Sequence, residues 1–280
     1  MLYYYVYLNI YNNINLKLNM KFYKTFILIC MLLTLNFNVW STESDKVKTN
    51  SDDFETSTYE DTIYDPLESI NRVIFNFNNV ADKIILEPTA KGYKKLPSPI
   101  QKGIGNFLNN LKLPLVVVNQ VLQGQFKNAS NSTGRFFVNS TAGILGLVDV
   151  AKKIGLEQKQ EDFGQTLAKW GLGDGFYVVL PIFGPSSLRD TAGMMLTYST
   201  DPVNAYAVHQ NEAWILPVKT ATNAIDQRSR IIDEVNALRN NSLDYYAAVR
   251  SSYYQNRKAA ILNTDDNAQT PLPLISIEFE

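Results

Sequence analysis

DFGQTLAKWGLGDGFYVVLPIFGPSSLRD, residues 162–190, sets the apolar run Phe176–Phe183 between glycine-rich turns. Five of the chain's fourteen glycines fall in this stretch, together with Pro181 and Pro185. Glycine admits positive φ and close backbone approach, and proline removes a donor, so the segment is punctuated at fixed places. Phe176–Leu180 is the best strand candidate, and a short hairpin fits there.

The segments around it read as helix. Upstream, Ile70, Val73, Ile74, Phe77, Val80, Ala81, Ile84 and Ile85 recur at three- and four-residue steps. Asp65-Pro66 supplies the start, Pro88 the far limit, and Asn71, Asn76, Asn78 and Asp82 take the remaining faces. Pro97-Ser98-Pro99 opens a second helix, and Pro114 opens a third that ends at Gly124. Ala129–Val138 leads into an apolar bunch, Ile144, Leu145, Leu147 and Val148. Val218, Ala221, Ile225, Ile232 and Val235 predict one long helix, and Tyr245–Leu262 another. The fold class is therefore mainly α. Its apolar stripes suit a soluble bundle or helices lying in a bilayer interface. Periodicity does not separate the two, and composition alone favours the bundle.

The chain has 280 residues, 45% of them hydrophobic, enough for a buried core. A net charge of −1 speaks against a nucleic-acid binder. Cys30 is the one cysteine and His209 the one histidine, which excludes a disulfide framework, a zinc finger and a Cys/His metal cluster.

Residues 20–41 have the grammar of a signal peptide. Lys21 and Lys24 precede the apolar core Thr25–Leu35, and Ser41 offers a cleavage site, with an uncleaved membrane anchor as the alternative. Residues 1–19 read as an upstream extension, with Met20 the start. Cleavage after Ser41 removes three lysines and no acid, so the net charge of −1 becomes −4. Residues 42–63 are polar and acidic and read as a disordered linker, residues 64–262 as the folded domain, and residues 263–280 as a mobile tail. No segment after Ser41 reaches the roughly 20 apolar residues of a spanning helix.

Catalytic patterns are incomplete. Gly184-Pro185-Ser186-Ser187 lacks the second glycine of a nucleophile elbow, and Ser186 reads as the cap of the turn into Leu188. Gly171, Gly173 and Gly175 lack the spacing and βαβ setting of a phosphate cradle. Glu161, Asp162, Asp174 and Asp190 beside glycine turns read as structural carboxylates, so no catalytic residue and no cofactor is assigned. Arg72, Arg135 and Arg189 each sit beside an apolar face. Each either pairs with a carboxylate such as Glu68 or Asp190, or meets a lipid phosphate.

A set of short motifs resembles the MlaA/VacJ family of outer-membrane proteins. They include Asp65-Pro66-Leu67-Glu68, Asn71-Arg72, Phe75-Asn76-Phe77-Asn78, Gly105-Asn106-Phe107, Leu122-Gln123-Gly124, Arg135–Thr141, Gly146–Asp149, Asp162–Leu167 and Gly184–Asp190. Together they span roughly residues 65–263. The resemblance implies a ring of amphipathic helices in the inner leaflet of the outer membrane, on the periplasmic face, around an amphipathic channel. It implies removal of mislocalised phospholipids, with a trimeric porin and a soluble periplasmic lipid carrier as partners and no bond made or broken. Phe75, Asn76, Phe77 and Asn78 would then offer a mixed surface to a crossing lipid, and Gly171, Gly173, Gly175 and Gly184 would let a hairpin bend at the channel mouth. Family members commonly carry a lipid on a cysteine. Here bulky Ile29 precedes Cys30, which departs from a lipobox. Two other readings stand beside this one: a porin-binding structural envelope protein without transport, and a soluble periplasmic lipid-binding module.

Overall fold

The computed structural model describes residues 63–262; the extension, signal peptide, tail and Cys30, and the linker apart from Ile63, lie outside the described residues. Helix α1, Glu68–Ala81, passes through a π-helical turn, Asp82–Leu86, into α2, Glu87–Lys94. The expected stop at Pro88 does not occur. Pro88 lies in the first turn of α2, behind the wider π turn, where a residue with no N–H to donate is tolerated.

Helix α3, Ser98–Leu122, is one 25-residue helix with Pro114 inside it, not two helices meeting there. The proline costs a hydrogen bond to the carbonyl of Asn110, but burial of Leu113, Leu115 and Val116 on either side holds the helix together. There follow α4 (Phe126–Thr141), α5 (Val150–Lys153) and α6 (Phe163–Lys169). Asp162 caps α6 by accepting from the Gln165 N–H at 2.9 Å.

The hairpin is present. Strands β1 (Tyr177–Leu180) and β2 (Gly184–Ser187) pair antiparallel, Tyr177 opposite Ser187 and Leu180 opposite Gly184. Ser187, not Ser186, caps the next helix, α7 (Leu188–Thr200), accepting from the Asp190 N–H at 3.1 Å. Ser186 belongs to β2, with its hydroxyl 3.0 Å from that of Thr191. The rest is α8 (Pro202–His209), α9 (Ile215–Arg230), α10 (Ile232–Asn241) and α11 (Tyr245–Leu262). The long helix expected through Val218–Val235 breaks at Ile231, whose φ is −119°. The break lets Arg228 and Arg239 converge on the same two carboxylates, Asp82 and Glu87.

Helix α3 packs on α4, α6 on α7, α9 on α2, and α11 on α6 and β2. Among the described residues, a small aromatic cluster joins Phe75, Tyr177, Val179 and Tyr246, ringed by Tyr245, Val249, Tyr253 and Tyr254. Phe75 meets Tyr246 edge-on, with centroids 5.4 Å apart.

Elsewhere the polarity is inverted. Among the described residues, buried polar and charged side chains outnumber buried apolar ones, and large apolar side chains are more often exposed than buried. Soluble domains do the opposite. The buried face of α1 carries Asn71 and Phe75, while its apolar stripe, Ile70, Val73, Phe77 and Val80, points outward and continues into Ile84 and Ile85. Ile84 is 70% exposed. The hairpin tip, Ile182 and Phe183, and the turn at Ile144 and Leu145 are likewise exposed.

Candidate functional site

The surface of α1 is fixed by two asparagines. Asn71 donates to the Tyr177 carbonyl at 3.1 Å and accepts from the Val179 N–H at 2.9 Å. Asn78 donates to the Leu180 carbonyl at 2.9 Å and accepts from the Ile182 N–H at 2.7 Å. A side-chain amide has one acceptor oxygen and a donor group, so each asparagine stands in for a missing strand partner. The spacing fits: seven helical residues rise about 10.5 Å, and three strand residues about 10 Å. The free edge of β1 is thus sealed by a helix, not by another strand.

Among the proposed lipid-pathway residues, Phe75 is buried in the aromatic cluster and Asn78 holds the hairpin. Asn76 and Phe77 face outward. Gly171, Gly175 and Gly184 take φ of 91°, 70° and 81°. No neighbour approaches where a side chain would stand on Gly171, Gly173 or Gly184, whereas Gly175 faces Leu188.

The three arginines differ. Arg135 is buried, 2.9 Å from Asp149, and its guanidinium also donates to the Leu156 carbonyl. Arg189 is buried between Asp174 and Asp190. Arg72 pairs with Glu68 at 2.8 Å and Asp244 at 2.6 Å, yet its side chain stays 39% exposed.

Further charged clusters tie distant elements together. Asp82 receives Arg228 at 2.8 Å and Arg239 at 2.6 Å. Burial would raise its carboxyl, but hydrogen bonds and charge from both arginines hold it below the ordinary carboxylate value. The Lys91 hydrogen bond outweighs burial and, with Arg239, holds Glu87 at about 2. Burial would likewise raise Asp162, but Arg257, at 2.7 Å, holds it at about 2. Each of these carboxylates is more acidic folded than unfolded. Its stabilisation is therefore complete above the ordinary carboxylate range and lost as pH falls through the folded value. Glu161, raised by burial, works in the opposite sense. Urea unfolding in detergent is expected to show stability falling steadily between about pH 4.5 and 2, because the depressed carboxylates outnumber Glu161. A loss centred near pH 6.5 would instead implicate a histidine, and contradict this.

A cavity of about 1050 Å³ lies beside the N-terminal half of α3. Lys102, Asn106 and Asn109 of α3, Arg135 of α4, Leu147 and Val148 of the following turn, Lys152 and Lys153 of α5, Leu156, Lys159 and Arg230 of α9 line it. Asp149 and Glu157 are its only acidic lining residues among those described. The wall is both basic and apolar, in a chain whose net charge is −1. A second cavity of about 280 Å³ lies beside Leu108, Leu111, Leu115 and Val116, and also reaches Gln160 and Gln165. Of the residues singled out in the sequence for headgroup contact, the larger cavity contains only Arg135. Its lysines come from segments about 50 residues apart, with no local motif to mark them.

Outward apolar stripes, a polar interior and a cavity that is both basic and apolar are the features of a membrane-associated protein. The family model described as MlaA lipoprotein matches residues 63–260. The intermembrane phospholipid transport system lipoprotein MlaA of Escherichia coli (strain K12) is 36% identical over 197 residues, covering 68% of this chain and 76% of that one. An uncharacterized protein of Rickettsia bellii (strain RML369-C) is 40% identical over 201 residues, 71% of this chain and 77% of its own length. A solved structure from work on the structural basis for maintenance of bacterial outer membrane lipid asymmetry superposes with a TM-score of 0.63 at 36% identity, covering 70% of this chain and 98% of that one. The chain belongs to the MlaA family. Asp162 and Asp190 pair with Arg257, Asp174 pairs with Arg189, and Glu161 accepts from Gln123 and Gln125.

Proposed function

We infer that this chain is the outer-membrane member of an intermembrane phospholipid transport system, which keeps the two leaflets of that membrane different in lipid content. The observation that carries this reading is the inverted polarity of the fold. Helices whose apolar stripes face outward can rest in a leaflet with every backbone group satisfied internally, and a basic cavity inside them offers a headgroup a polar route. In this reading the helices lie as a ring in the inner leaflet, at the periplasmic face. Phospholipid that has strayed to the outer leaflet descends through the interior and passes to a soluble periplasmic carrier, with a trimeric porin alongside. Asn76 and Phe77 face the surrounding lipid, the glycines from Gly171 to Gly184 shape the approach to the hairpin, and Arg72 is the arginine a headgroup can reach from outside.

The test is outer-leaflet phospholipid in cells lacking the chain. Loss should raise it, and the Met20–Glu280 form should restore it. Phe77→Asp should fail to restore it while leaving the unfolding midpoint unchanged, because a carboxylate on a lipid-facing position costs about 2–3 kcal/mol of insertion. Unchanged asymmetry on deletion would overturn the reading.

A further inference from the structure

Three lysines on the wall of the larger cavity are not explained by folding. Arg135 is neutralised by Asp149, and Arg230 by Asp226. Lys102, Lys152 and Lys153 line the cavity, are exposed, and have no carboxylate partner among the described residues. Their repulsion is a small cost to the fold, and no hydrogen bond of their ammonium groups to the described residues compensates it. A lining that keeps such charge beside Leu147, Val148 and Leu156 suits a ligand with an anionic head and an apolar body.

We propose that this cavity selects phospholipids whose headgroups carry net negative charge, with Lys102, Lys152 and Lys153 as the recognition residues. The proposal rests on the phospholipid reading given above. All phospholipids offer a phosphodiester, so one lysine contact does not discriminate. A zwitterionic headgroup brings its own ammonium, which three lysines repel. A phosphatidylglycerol or cardiolipin headgroup brings none. Each lysine close to an anionic lipid surface is worth about a fivefold change in affinity, and the effect is screened within a Debye length of about 10 Å at 0.1 M salt. The preference should therefore be large at low salt and shrink at high salt.

The experiment uses the full chain, equilibrated in mixed micelles of equal phosphatidylglycerol and phosphatidylethanolamine, re-isolated, and analysed for bound lipid by mass spectrometry. The wild-type chain should be enriched in phosphatidylglycerol by at least about fivefold at low salt, the effect of a single lysine. The variant carrying Lys102→Gln, Lys152→Gln and Lys153→Gln should bind as much lipid in total without enrichment. These residues are exposed, so the variant should keep its unfolding midpoint, which is measured alongside; Lys102→Arg, Lys152→Arg and Lys153→Arg together should preserve the enrichment. Equal binding of both lipids by the wild-type chain, or enrichment that survives the triple glutamine variant, would overturn the proposal and leave the transport reading standing. No bound lipid in either chain would overturn the transport reading itself. In a parallel arm, glycerol 3-phosphate, which has the anion and no tails, should not displace the lipid at millimolar concentration; displacement would make the cavity a site for soluble phosphates and overturn the proposal.

Discussion

Gly193→Val is expected to destabilise the fold by about 3 kcal/mol, and more if the helices cannot separate. Helices α6 and α7 cross where Gly193 meets Gly164 backbone to backbone. A Cβ on Gly193 would stand 2.8 Å from the Gly164 Cα, with the Gly164 nitrogen closer still. Backbone cannot rotate aside as a side chain can, so one helix must shift. The shift would propagate, because Gly164 is itself packed under Arg257 and Asp190, which join α6 and α7 to α11. Gly173→Ala is the control: nothing lies within 4 Å of the added carbon, and its midpoint should stay within about 0.5 kcal/mol of wild type. Thermal unfolding of both variants in the same detergent reads the difference. Equal midpoints would show that α6 and α7 do not cross as described.

Asp82→Asn is expected to cost about 3 kcal/mol. The substitution keeps the shape of the side chain and removes its charge from between Arg228 and Arg239. Arg228 is 6% exposed, so water cannot replace the lost partner, and Glu87 alone is left to serve both arginines. The damage should concentrate where the π turn meets α9 and α10, visible as faster amide exchange there. Lys94→Gln removes a pair that is largely in solvent and should change stability by less than about 0.5 kcal/mol.

These two sites show what a sequence can and cannot disclose. The stripe from Ile70 to Ile85 was legible as a helical face, because side-chain spacing is local. Its direction was not. Periodicity marks a face without saying whether protein or lipid lies against it, and here Asn71 and Asn78 face inward while the apolar stripe faces out. The hairpin was legible from its glycines and prolines, since those residues act on their own backbone. The partner of its free edge was also within reach: Asn71 and Asn78 sit seven apart on the face opposite the stripe, a spacing that places two amides along one strand. The Asp82–Arg228 and Asp162–Arg257 pairs left no local trace, because only tertiary packing brings them together. The same holds for Lys102, Lys152 and Lys153, each an ordinary helix lysine until α3 and α5 face one cavity. Pro88 and Pro114 mark boundaries under a rule that holds for isolated helices; a π turn and flanking burial override it.

The most direct measurement places a photo-crosslinking amino acid at Asn109, on the cavity wall, in cells whose lipids are labelled with radioactive phosphate. Irradiation should attach labelled phospholipid to the chain at Asn109, and not at Lys127, an exposed residue of α4 outside the cavity lining. If Asn109 captures no lipid while Phe77, on the outward stripe, does, lipid surrounds the protein without entering it, and the interior is not a route for phospholipid.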